Sequence, residues 1–148
     1  MHDNHFFHVS LKLVLRNEKG EILILKMPDN SSMAGYYDLP GGRISKEKYD
    51  VPFEETIKRE IQEELGEKVK YEIKKRPVSY SVHTVPAKPG VEAIQILMLF
   101  FEANYKGGEI VLSDEHKESD WKKVAKSNVK KLFVRGLLQG MSNYLNFK

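Results

Sequence analysis

LPGGRISKEKYDVPFEETIKREIQEELGE, residues 39–67, joins a proline–glycine–glycine turn to the clearest helix signal in the chain. Pro52 sits where a first helical turn tolerates proline, Phe53 to Leu65 consists mainly of strong helix formers, and Gly66 supplies a stop. On that helix Phe53, Ile57, Glu60 and Glu64 are spaced by four, three and four residues, so they share one stripe beside Ile61 and Leu65. Half of this stripe is carboxylate, and desolvating a charge is costly unless a partner compensates it. A cation is therefore expected against this face. Glu63 and Glu67 stand three residues from Glu60 and Glu64, and like charges at that spacing destabilise a helix. A hard divalent ion such as magnesium takes oxygen ligands and would neutralise several of these acids at once. The plainer alternative is an exposed acidic helix relieved by Glu54 with Lys58 and Glu55 with Arg59. It accounts for Glu54 and Glu55, but not for Glu60 and Glu64 beside Ile57 and Ile61.

Upstream, HVSLKLVLR at 8–16 alternates apolar and polar residues, and Asn17 to Gly20 form a turn before EILILKM, which predicts a hairpin. Pro28 to Gly35 read as a loop, and Tyr36-Tyr37-Asp38 lead back into the glycine turn. Downstream, residues 69–85 and 91–105 have strand character on either side of the turn-prone Pro86 to Gly90, and Gly107-Gly108 make another turn. Ser127 is placed to cap a second helix from Asn128 to about Tyr144, with Leu132, Val134, Leu137, Leu138, Met141 and Leu145 near helical period. No repeat or linker appears. The expectation is a single domain, 1–148, of the mixed α+β class: a curved mixed sheet between two helices.

Composition narrows the function classes. A chain of 148 residues, 41% hydrophobic and 30% charged, is an ordinary globular domain with one real core, and no apolar run is long enough to cross a bilayer. The opening MHDNHFF lacks the basic, apolar and small-residue segments of a secretory leader, so a cytoplasmic protein is expected. With no cysteine, any metal must be held by oxygen or imidazole. A net charge of +3, with Trp121 the one aromatic among the lysines of 117–131 and that residue read as core, gives no reason to expect a stable nucleic-acid partner. His83 and His116 are isolated in sequence and are not argued as ligands. Trp121 is read as core.

Gly41-Gly42 followed by Arg59-Glu60-Ile61-Gln62-Glu63-Glu64-Leu65-Gly66 resembles the Nudix box, usually written G-x5-E-x7-R-E-U-x-E-E-x-G-U with U a bulky aliphatic residue. Leu39-Pro40 before the glycines is the family's usual approach, and Asp114-Glu115-His116 before Trp121 looks like its downstream acidic loop and strand. With the order of strands and helices, the resemblance covers nearly the whole chain. It departs in the first half of the box, where three extra residues lie between Gly42 and Arg59, so counting from either end finds Val51 or Lys48 instead of the first acid. Glu47, Asp50, Glu54 and Glu55 are candidates to replace it, and Glu67 occupies the final aliphatic position.

The resemblance implies a MutT-like Nudix hydrolase with a Nudix-type α/β/α sandwich. Such an enzyme uses Mg2+, with Mn2+ a possible substitute, to cleave a phosphoanhydride bond in a nucleoside triphosphate or related nucleotide. The alternative is a Nudix-fold module that binds a nucleotide or partner without turnover. By resemblance, Gly41 (through its carbonyl), Glu60, Glu63, Glu64 and Glu115 hold metal, and Arg59 orients the cluster. The general base is open between Glu60, Glu63 and Glu115, with Glu118 the alternative remote acid. Tyr37 and Arg43 are candidate substrate contacts, the partner is a small nucleotide, and a homodimer is compatible with related proteins.

Overall fold

The computed structural model describes residues 3–147; Met1 and His2 of the MHDNHFF segment, and Lys148, lie outside the described residues. Strand β1 (His8–Arg16) organises the sheet. The parallel strand β7 (Ile94–Tyr105) pairs with it along its whole length, from His8↔Ile96 to Arg16↔Asn104. On the other edge, β2 (Ile22–Lys26) meets it at Arg16↔Ile22, and β4 (Gly41–Arg43) pairs from Lys12↔Gly41 to Ser10↔Arg43. The hairpin closes as expected, because Asn17 Oδ1 accepts the amides of Lys19 and Glu21 at 3.0 and 2.9 Å. Its strands then part. β2 continues against β3 (Tyr37–Asp38) and β8 (Ser119–Lys122), while β5 (Tyr71–Ile73) and β6 (Ser79–Val85) lie antiparallel on β7. The mixed sheet has eight strands among the described residues.

Two apolar clusters fill its two faces. Leu11, Leu13 and Leu15 of β1 pack with Ile57, Ile61 and Leu65 of helix α1 (Phe53–Leu65). Val14 packs with Ile24, Phe100, Leu137 and Met141 on the opposite face. β1 is thus buried on both sides, unlike the half-solvated strand its alternation suggests, and Ser10 and Lys12 are buried with it. Trp121, expected in the core, is only half-buried at its margin, 5.0 Å from the Tyr105 ring.

The second helix is split. α2 (Val129–Leu132) ends at extended Phe133 and Val134, and α3 (Arg135–Asn146) begins at Arg135 with φ +56°. The break lets the fully buried Phe133 enter the core while Leu137, Met141 and Tyr144 face the sheet. Helical period alone cannot show such a register change, because the stripe is apolar on both sides of it. Asn128, rather than Ser127, occupies the N-cap position of α2; its side chain accepts the Ala125 amide and donates to the Lys123 carbonyl. The layers are still α/β/α, with three helices among the described residues instead of two.

α3 is seated closely. Ser79 Oγ donates to the Gly140 carbonyl at 2.6 Å, and Tyr144 OH donates to the buried Glu102, which also receives Lys74 Nζ. A methyl group on Gly140 would lie 2.0 Å from the ring of Phe100. Gly140→Ala is expected to lose about 1–3 kcal/mol through overpacking, despite alanine's better helix propensity. Thermal unfolding checks this; an unchanged midpoint would mean that α3 has room to move away from β7.

Candidate active site

The glycine turn brings the two stripe carboxylates together. Gly41 has φ +136°, and a methyl group there would stand 1.9 Å from the Leu11 carbonyl oxygen, so only glycine lets β4 lie this close to β1. Its amide donates to Glu64 Oε1 at 2.7 Å. A methyl group on Gly42 would sit 2.7 Å from Glu60 Oε1. The expected convergence of Glu60 and Glu64 on this turn is therefore present. Arg59 bridges Glu60 at 3.2 Å and Glu63 at 3.1 Å, and neither Glu54–Lys58 nor Glu55–Arg59 forms an ion pair among the described residues.

The downstream loop is pinned at both ends. Val111 and Ser113 amides donate to the Leu65 and Glu64 carbonyls at 2.8 and 3.1 Å, satisfying acceptors that the end of α1 leaves open. Lys117 donates to the Lys26 carbonyl and Lys26 to that of Glu118. Between these anchors Glu115 and His116 meet Glu64, one ligand atom from each lying within 4.8 Å of the others. Glu118, the alternative acid, faces Lys26 at 3.5 Å on the exposed side.

Three site residues escaped sequence reasoning: Lys12, Asp38 and His116. Lys12 Nζ lies 2.9 Å from Asp38 Oδ1, and Asp38 Oδ2 lies 3.1 Å from His116 Nε2. His116 Nδ1 is 3.8 Å from Glu64 Oε2 and has no hydrogen-bond partner among the described residues. The exclusion of His116 on grounds of isolation is thus corrected: its neighbours come from β3 and α1, far away in sequence. No sequence signal points to Lys12, whose burial follows from the strands that flank it.

The electrostatics follow the geometry. Burial alone would raise the Asp38 pKa, but Lys12 and His116 hold it down at about 2. Burial would lower that of Lys12, yet Asp38, Glu64 and Glu60 together raise it. Glu64, only 2% exposed, is pushed up to about 7 by burial, against the opposing pull of the Gly41 amide and Lys12. Glu60 is also raised, by burial and by Glu63 and Glu115, against the pull of Arg59. An acid set this strained is chemically suited to a divalent cation, which would favour its ionised form.

On the α3 side of the turn lies a cleft of about 400 Å³, with Lys12, Asp38, Arg43, His83 and Arg135 among its lining residues. Burial, then Arg43 and Arg135, lower the pKa of His83. Arg43 and Arg135 have no ion-pair partner among the described residues. Tyr37 packs half-buried against the α3-side cluster, whereas Phe6 and Tyr80 are exposed and Lys26 is engaged with Glu118.

The profile described as NUDIX domain matches residues 6–136. The 8-oxo-dGTP diphosphatase of Escherichia coli (strain K12) is 35% identical over 75 residues, 45% of this chain and 56% of that protein, so the match spans just over half of that relative. Among solved structures, the MutT protein from Methanosarcina mazei Go1 is similar with a TM-score of 0.66 and 25% identity, covering 95% of this chain and 89% of that one. An ADP-ribose pyrophosphatase from Streptococcus suis 89-1591 has the same fold, with a TM-score of 0.58, 18% identity, and 95% and 87% coverage.

The displaced pKa of Glu64 gives a pH test on metal-free protein. With a folded pKa near 7 and an ordinary value of 4.5 when unfolded, the stability this group contributes is complete below 4.5 and is lost as pH rises to about 7. In excess chelator, Glu64→Gln should therefore match wild type in denaturant stability near pH 4.5 and exceed it at pH 8. A difference that does not vary with pH would mean that Glu64 is not desolvated.

Proposed function

Because the chain belongs to the NUDIX domain family, we propose that it is a magnesium-dependent hydrolase cleaving a phosphoanhydride bond in a nucleoside diphosphate derivative. The observation that carries this reading is the meeting of Glu60 and Glu64 at the Gly41-Gly42 turn, with Glu115 brought to the same corner. In the reaction, water attacks a phosphorus, one P–O bond of the anhydride breaks, the leaving phosphate takes the electron pair, and the water's proton passes to a carboxylate.

Glu60, Glu63, Glu64 and Glu115 would hold the ion, with the Gly41 carbonyl as a backbone ligand. When bound, a divalent ion offsets phosphoryl charge and makes water a better nucleophile. Arg59 keeps Glu60 and Glu63 in fixed positions, a preorganisation that a flexible pair of acids would lack. Glu60, Glu63 and Glu115 remain the candidate bases. Arg43, on the cleft wall, is suited to a phosphoryl oxygen, whereas Tyr37, the other candidate contact, packs half-buried against the α3-side cluster and is not among the residues lining the cleft. A cleft with cationic lining favours a polyphosphate over a neutral ligand. No helix among the described residues is long and apolar enough to cross a membrane.

A non-catalytic binding module is the second reading, supported by the altered first half of the box, in which Glu47, Asp50 and Glu55 are exposed. Incubation with Mg2+ and a panel of nucleoside triphosphates, 8-oxo-dGTP, ADP-ribose, dinucleoside polyphosphates and nucleotide sugars separates the two, with products resolved by chromatography. Turnover of at least one class is expected. Glu60→Gln should lower it by on the order of 10²–10⁴-fold with the circular dichroism unchanged. Tight binding without product across the panel would favour the module. Gly42→Ala, which crowds the Glu60 carboxylate without touching its charge, should also reduce turnover by at least about tenfold through misplacement; undiminished activity would mean that Glu60 does not act from this position.

A further inference from the structure

We propose that His116 is itself a metal ligand through Nδ1, so that the ion site is a mixed imidazole–carboxylate centre of Glu64, Glu115 and His116 that prefers Mn2+ to Mg2+. This rests on the reading of Glu64 and Glu115 as ion ligands and adds to it a nitrogen donor that the oxygen-only set implied by the box does not contain.

The argument begins with the tautomer. Asp38 is paired with Lys12 at 2.9 Å and also accepts the amide of Leu39, so it is a carboxylate with acceptors only. His116 Nε2, 3.1 Å from Asp38 Oδ2, must then be the protonated nitrogen. In a neutral imidazole this leaves a bare lone pair on Nδ1. Nδ1 is buried and lacks a hydrogen-bond partner among the described residues, in a side chain more than nine-tenths buried.

Its nearest acid is Glu64 Oε2 at 3.8 Å. That is beyond hydrogen-bond range, but it suits two donors sharing one ion: ligands each about 2.1 Å from a metal lie roughly 3.0–4.2 Å apart for angles from 90° to 180°. The Glu115 oxygen completes a triangle with all three atoms within 4.8 Å, and Glu115 is exposed and can adjust. A carboxylate that accepts the far N–H of a ligating histidine is the usual support of such a ligand, and here Lys12 fixes that carboxylate in turn. The loop is also built for the purpose, since the Ser113 amide is tied to the Glu64 carbonyl at 3.1 Å three residues before His116. An imidazole among carboxylates favours first-row transition ions over Mg2+, and Mn2+ shares magnesium's affinity for carboxylate oxygen while also accepting an imidazole nitrogen.

The test uses chelator-stripped full-length protein titrated with MnCl2 and, in competition, with MgCl2, with pulsed electron paramagnetic resonance on the Mn2+ complex. Wild type should show coupling to a directly bound nitrogen, altered in protein carrying 15N-histidine and abolished in His116→Gln. The same substitution should weaken Mn2+ binding by about 10–100-fold and Mg2+ binding by less, with the far-ultraviolet circular dichroism unchanged. If Mn2+ binds wild type and Glu64→Gln weakens it, but no nitrogen coupling appears and His116→Gln binds equally well, then the histidine proposal is overturned and the carboxylate site stands. If Glu64→Gln binds Mn2+ as tightly as wild type, the underlying assignment of the ion site fails, and this proposal with it. Should His116→Gln not fold, the nitrogen coupling in wild type, with and without 15N-histidine, decides alone.

Discussion

A carboxylate inside a protein has to be answered, and the seating of Glu64 is the constraint from which the rest of the site follows. It projects from a helix into the joint between that helix and the sheet, where water cannot solvate it. The Gly41 amide answers one oxygen, and this requires β4 to run against β1 with a backbone angle and a separation that exclude a side chain. The other oxygen faces His116, which is oriented by Asp38, which is held by Lys12. Removing Lys12 would leave Asp38 as a buried charge without its cation, so the members of the array depend on one another. That dependence links β1, β3, β4, α1 and the loop before β8 into one rigid corner.

The helix and its stripe were legible because they obey a single local rule. The period of 3.6 placed Ile57, Ile61 and Leu65 against the sheet, and the same period revealed two acids where apolar residues belonged. The glycine turn was legible through its composition, and the family resemblance through the order of residues from Arg59 to Gly66. What could not be read was anything decided by strand order. Lys12 looks like the polar half of an alternating strand until β7 and β4 are known to flank it and helices to cover both faces. Asp38 and His116 are separated by 78 residues and touch only because β2 pairs with both β3 and β8. The division of the last helix was hidden for a different reason: Phe133 satisfies helical periodicity and core filling equally well, and packing chose the second.

With three extra residues in the first half of the box, the contact between the glycine turn and the helix is still present. Those residues lie in the exposed stretch before α1, while the residues that hold the corner together come from the helix and the flanking strands. Arg59 closes on Glu60 and Glu63 rather than pairing with Glu55, the plainer alternative. Acidic residues around the loop are therefore not needed to tether the helix to the turn, because Gly41 and Glu64 already do so through a bond between rigid elements.

The distribution of charge about that tether has its own logic. Glu64 and Glu115 gather on the α1 side of the glycine turn, whereas Lys12, Arg43, His83 and Arg135, with Asp38 paired to Lys12, line the cleft on the other. On the proposed reading, a phosphorylated ligand in the cleft would meet attraction from one wall and repulsion from the acidic corner, and a cation in the corner would reverse the second without weakening the first. Ion and anion would then each lower the cost of binding the other, and by linkage that coupling would be equal in both directions. Lys12 is the point where the two halves meet: buried at the floor of the cleft, it is drawn toward Asp38, Glu64 and Glu60 at once. A lysine so placed keeps the acidic corner from being wholly uncompensated when no ion is bound, and so offsets part of the cost of carrying a desolvated glutamate in the interior.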